Sequence, residues 1–278
     1  MHKLFIPITI VLLGLSLGQA QIDPAAQIIL DYLDAQALEA ADDSARPEQV
    51  DTMLFTITMR SNVEDVSSLT TTTSAIDRPN RRVASTTIMD DEGPDNFDSE
   101  FYFIYDNGDF KSAATFEGEL EKIPFDEATE TLLKDQLEGM FEMLDTPVVP
   151  EYTSASYAGR RAYADVLEGI QINVDASEAM PTMPGMESMA VSDMAMVLNG
   201  ELELTGMVMT LAGEKLVIVF AEPSPFTNLN MIPEMSYYLY DEAQDSATLQ
   251  SVMSMSYDAF NEPLDPALFE LPEASSVE

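Results

Sequence analysis

The sequence predicts a mainly β protein with α, an incomplete antiparallel β-barrel of about 11 strands wrapped around or closed by helices. Three observations lead there. Runs of β-branched, aromatic and alternating apolar residues recur along most of the chain. Asp106-Asn107-Gly108-Asp109 carries an Asn-Gly centre, the strongest short-range hairpin signal in the sequence. Only two stretches change to the helical period. With 46% apolar residues over 278 positions the chain can bury a core, which argues against a wholly disordered acidic polymer.

Residues 1–20 read as a secretory signal peptide: Lys3 is the positive start, residues 4–17 are mostly apolar, and Gly18-Gln19-Ala20 places small residues before a cut at Gln21. The remainder, 21–278, is expected to be one domain, because no linker-like stretch divides it and no internal repeat is visible. Asp23-Pro24 is a cap followed by proline in the first turn, and Ile28, Ile29, Tyr32 and Leu33 recur at helical spacing to about Asp42. From Asp51 the period becomes two, with Met53, Phe55, Ile57 and Met59 on one face. Strands follow at 67–76, 81–89, 100–105 and 110–117, the last two flanking the Asn-Gly turn. Asp126 caps a second helix whose stripe is Leu132, Leu133, Leu137, Met140, Phe141 and Leu144, ended by Thr146-Pro147. Strand-like runs resume at 152–157, 161–174, 194–204, 207–211, 215–221, 235–240 and 248–257. Several are apolar or Thr-rich on both faces, so a curved sheet lined with Phe, Tyr, Met and Leu is expected to bury one face as core or as a cargo cavity.

Composition excludes much chemistry. There is no Cys, and the single His is His2, inside the exported leader. The mature chain therefore lacks the side chains for His or Cys zinc sites, Ser-His-Asp triads, Cys nucleophiles and disulfides. Fifty Asp and Glu against 12 Lys and Arg give a net charge of −38, which repels phosphate backbones and anionic lipid surfaces. No nucleic acid partner and no stable membrane insertion are expected, since no later stretch has the roughly 20 apolar residues of a span.

Met180, Met183, Met186 and Met189 recur every three residues across Pro181 and Pro184. An extended segment with three residues per turn puts them on one edge, where soft thioethers suit Cu(I). The same spacing also describes an adaptable apolar flap over a cavity. Asp90, Asp91, Glu92, Asp95 and Asp98 form an acidic cluster without EF-hand spacing and read as a solvated hairpin loop. The doublets Arg81-Arg82 and Arg160-Arg161 are expected to pair with nearby carboxylates. No motif joins a serine to a lysine, so an enzyme is not expected and no cofactor is implied.

Arg78-Pro79-Asn80 between two strands, the hairpin around Asn107-Gly108, and the ending Leu264-Asp265-Pro266-Ala267-Leu268-Phe269-Glu270-Leu271-Pro272 occur in an order that resembles the periplasmic lipoprotein-carrier superfamily of LolA and LolB type. The resemblance implies an incomplete barrel with a helical lid and a cavity for acyl chains, with Arg78 helping to hold the lid closed through lid carbonyls. The residues that would line cavity or lid are Phe55, Ile57, Phe101, Phe103, Leu137, Met140 and Phe141. The chain is longer and far more acidic than a typical carrier. The expected function is an extracytoplasmic, periplasmic or secreted carrier of a lipid or acylated lipoprotein. The alternatives are a copper-binding protein using the Met segment and a structural envelope protein with a self-filled cavity.

Overall fold

The computed structural model describes residues 21–43, 50–63, 66–91, 99–116, 119–145, 154–174, 191–224 and 234–272. The leader, the Met180–Met189 segment and most of the acidic cluster lie outside them. The element order is β1 (Gln21–Ile22), α1 (Pro24–Asp43), β2 (Thr52–Val63), β3 (Val66–Asp77), β4 (Arg82–Asp91), β5 (Ser99–Asp106), β6 (Asp109–Phe116), β7 (Glu119–Lys122), α2 (Glu127–Asp145), β8 (Ser154–Tyr163), β9 (Leu167–Val174), β10 (Val191–Leu198), β11 (Leu204–Leu211), β12 (Glu214–Ser224), β13 (Glu234–Asp241) and β14 (Ser246–Phe260). A 3₁₀ turn over Pro266–Phe269 follows.

The strands among the described residues join one open sheet in the order β1-β8-β9-β10-β11-β12-β13-β14-β2-β3-β4-β5-β6-β7. Every pairing is antiparallel except that of β1 on β8. Two meanders, β2–β7 and β8–β14, are thus zipped together by β14 on β2, and α2 carries the chain from one outer edge to the other. The expectation of about 11 strands undercounts, because β1 and β7 are too short to show a period. The break expected between 157 and 161 falls inside β8, around Gly159. With φ 78° it sits in a bulge within β8, and the turn comes later, at Ala164 with φ 49°.

The helices start where capping chemistry places them. Asp23 Oδ1 accepts from the Ala25 amide at 3.0 Å, and Asp126 Oδ1 from the Thr129 amide at 2.8 Å. The Asn107-Gly108 turn has both residues at positive φ, as a type I′ hairpin requires, and pairs Asp106 with Asp109.

Both helices lie on the same, inner, face. Ala26, Leu30 and Leu33 of α1 pack on Ile172, Met196, Leu198 and Ile218, whereas Leu137 and Phe141 of α2 pack on Phe55, Ile57, Ile76, Val83 and Tyr105. The outer face is covered in two places. The 3₁₀ turn lays Phe269 on Ala75, Ala84 and Ile104, with the Arg82 guanidinium 4.3 Å from the Phe269 ring centre. At the other end Tyr163, Leu167, Val197, Val208 and Val217 form a cluster on the face opposite α1. Tyr163 and Tyr240 stand five strands apart, about 24 Å in a flat sheet. Their ring centres are 5.3 Å apart, so this corner rolls over its outer face. Gly206 allows the roll: a Cβ there would lie 2.9 Å from the Leu167 side chain and 2.4 Å from the Ile218 carbonyl oxygen. Hence β10 and β12 are buried on both faces, as their two-sided apolar pattern implies.

Candidate functional site

The inner face is apolar from β9 to β2, and on β3 and β4 it alternates apolar residues with hydroxyls. Met235 and Tyr237 of β13 pack against both the α1 cluster and the α2 cluster, and both are half-buried, so β13 is the seam between the helices. Burial pushes the Tyr237 phenol above its ordinary pKa, and its hydroxyl donates to the Met253 sulfur at 3.8 Å.

Methionine defines this face. Directly opposed residues and residues two apart in a regular strand share a face. By that rule every methionine of a described strand is on the inner side: Met53, Met59, Met89, Met194, Met196, Met207, Met209, Met235, Met253 and Met255. The α2 half adds hydroxyl pairs, Thr72 with Thr87 at 3.0 Å and Ser74 with Ser85 at 3.1 Å, which satisfy one another in the sheet.

Phe55, Ile57, Leu137 and Phe141 meet in one buried cluster with Phe103 packed against it. Phe101 lies on the same face opposite Thr87. The Met140 side chain is outside the described residues. Arg78 stands at the entry to β2. Its Nε donates to the Val50 carbonyl at 2.9 Å and its guanidinium pairs with Asp51 at 2.5 Å, pinning the chain where it enters β2 and fixing Val50 in the core. The residue that meets the middle of α2 is Arg81. It pairs with Glu138 and lies 5.5 Å from the Phe141 ring centre, while the Tyr105 hydroxyl donates to Glu138 Oε1 at 2.8 Å. Arg81 holds this place from a left-handed backbone conformation, φ 51°. The Arg81-Arg82 doublet signalled carboxylate partners; nothing in the sequence signalled that one of them belongs to a helix.

The second arginine of the doublet pairs with buried Asp77. Burial pushes the Asp77 carboxyl up, but hydrogen bonds from Arg82 and from the side chain and amide of Asn80 outweigh it, leaving the pKa below its ordinary value. An open depression of about 570 Å³ beside the first turn of α2 is lined by Asp126, Glu127, Ala128 and Thr131, away from the apolar seam. Among the described residues no group of three or more His, Cys, Asp or Glu converges as a metal site, and no helix is long and apolar enough to cross a membrane. Compared with known proteins, the chain matches no family model, and no curated protein matches it.

Proposed function

We propose that this chain is an extracytoplasmic binding or carrier protein, exported by its leader and without enzymatic activity, that holds a lipid, a lipoprotein acyl chain or another apolar ligand against the inner face. The observation that carries the reading is the seam: Met235 and Tyr237 are apolar, half-buried and shared by two helix-covered clusters on one unclosed sheet. An apolar ligand that parts the helices there meets the apolar cluster under α1 on one side and that of β2 under α2 on the other. Methionine suits such a surface, since its unbranched thioether repacks around cargo of varied shape. Closure of the sheet into a half-barrel around the ligand, with α2 as the lid, belongs to the same reading, which the resemblance to LolA-type carriers supports.

Native mass spectrometry of protein purified from its own host, together with titration of a fluorescent fatty acid, tests it. A co-purifying lipid, or saturable binding that Met235→Asp abolishes, supports the carrier. A protein that takes up no apolar probe has an inner face filled by its own side chains, and the structural-envelope alternative then replaces the carrier.

A further inference from the structure

We propose that Met194, Met196, Met207 and Met209 form a binding site for a soft monovalent cation, Cu(I) or its analogue Ag(I), on the inner face of β10 and β11. The site is independent of the carrier reading and separate from the Met180–Met189 segment.

The register sets the geometry. Met194 stands directly opposite Met209, and Met196 directly opposite Met207, so the four thioethers occupy the corners of a rectangle on one face. Opposed Cβ atoms are about 5 Å apart and same-face neighbours along a strand about 6.7 Å, so the centre lies about 4 Å from each Cβ. The sulfur lies two bonds beyond Cβ, and bonds between soft metals and sulfur are on the order of 2.3 Å. Four thioethers can therefore converge on one ion with little movement of the sheet.

The ligand chemistry selects the ion. Thioethers are neutral, polarizable donors that need no deprotonation, and they favour Cu(I) over oxygen-seeking Mg²⁺ or Ca²⁺. The residues between the pairs, Ala195 and Val208, point to the outer face and bring no oxygen into the rectangle. Cysteine is absent from the whole chain and the one histidine is His2, so no stronger soft ligand in the mature protein competes. Burial is unequal: Met194 and Met196 are buried in the cluster beneath α1, whereas Met207 and Met209, packed against it, are half-buried. The strongly negative protein raises the local concentration of any cation.

Anaerobic titration of the mature protein with Cu(I), in competition with a chromophoric Cu(I) chelator, tests the site. Met207→Leu/Met209→Leu conserves volume and keeps the fold, which circular dichroism verifies. The expected result is one tight Cu(I) per chain, with X-ray absorption showing sulfur ligands. In the double variant binding weakens by more than the roughly 10–100-fold that an outer-shell loss costs, and deletion of residues 180–189 leaves it unchanged. The proposal is overturned if wild-type protein binds no Cu(I), if the double variant binds as tightly as wild type, or if the deletion alone removes the binding.

Discussion

The two helices sit on one face of one sheet, yet they are held by different physics. α1 rests on its half through apolar contact of its first three turns: Ala26, Leu30 and Leu33 press on aliphatic and methionine side chains, and the Asp23 cap also accepts from the Tyr157 amide. α2 adds a polar clasp to its apolar stripe, with Glu138 taking both Arg81 and Tyr105 in the middle of the helix. Apolar contact is non-directional and tolerates sliding, whereas a clasp fixes position and depends on ionic conditions. Both helices bury apolar residues in the core, and α2 carries in addition a contact that charge can loosen.

The comparison is tested hardest by truncating the greasy side. Leu33→Ala removes a side chain that is 1% exposed, and a loss of about 2–5 kcal/mol in urea unfolding is expected. That loss is the same at low and high salt. A salt-sensitive loss would mean that α1 is also held by charge, and the contrast between the halves would fail.

Next in size is Gly206→Ala, which probes the rolled corner behind α1. The new Cβ meets backbone, the Ile218 carbonyl oxygen, so a cost of about 1–3 kcal/mol is expected. The ring contact of Tyr163 with Tyr240 should loosen too, visible as a change in near-ultraviolet circular dichroism. If neither signal changes, the glycine is not what permits the roll.

Glu138→Ala addresses the clasp itself. It leaves the buried Tyr105 hydroxyl without its carboxylate and frees Arg81, whose side chain is 47% exposed. The lost hydrogen bond accounts for about 1–2 kcal/mol, and the half-exposed ion pair adds only a few tenths after solvent screening. Hydrogen exchange of the α2 amides should speed up while α1 is unaffected. Equal acceleration in both helices would show that they open together and that the clasp is not specific to α2.

The strands with a clear period of two, the Asn107-Gly108 hairpin and both helix starts were legible because each is specified locally, by alternation, by positive φ and by a cap. The ending Leu264–Pro272 has a physical role in the fold: Asp265 caps the turn that seats Phe269 on the outer face. What the sequence left open was set by long-range register. That Met194, Met196, Met207 and Met209 face one another, or that Arg81 reaches a helix more than fifty residues on, depends on which strands pair and where a bulge falls. Arg78 illustrates the limit. The resemblance implied lid carbonyls for it, and only the fold shows the Val50 carbonyl and the Asp51 carboxylate as partners.

The smallest effect concerns acid, and again it belongs to the α2 half. Asp77 closes β3 with a side chain only 6% exposed, tied to Arg82 and Asn80. Because the folded-state pKa is below the unfolded value of about 3.9, Asp77 contributes stability that is fully present above that value. The contribution is lost as pH falls through the folded-state pKa. The net charge of −38 also shrinks in acid and relieves self-repulsion, so the absolute acid limb mixes opposite effects. Asp77→Asn isolates the one group, since both proteins share the rest. Melting temperatures of the pair should differ in favour of wild type near neutrality and converge in acid below the folded-state pKa. A difference that stays constant from about pH 7 to about pH 2 would place the value of Asp77 in its shape and neutral hydrogen bonds rather than its charge. Ionic fastening of the α2 half would then rest, among the described residues, on Arg81 with Glu138 and Arg78 with Asp51.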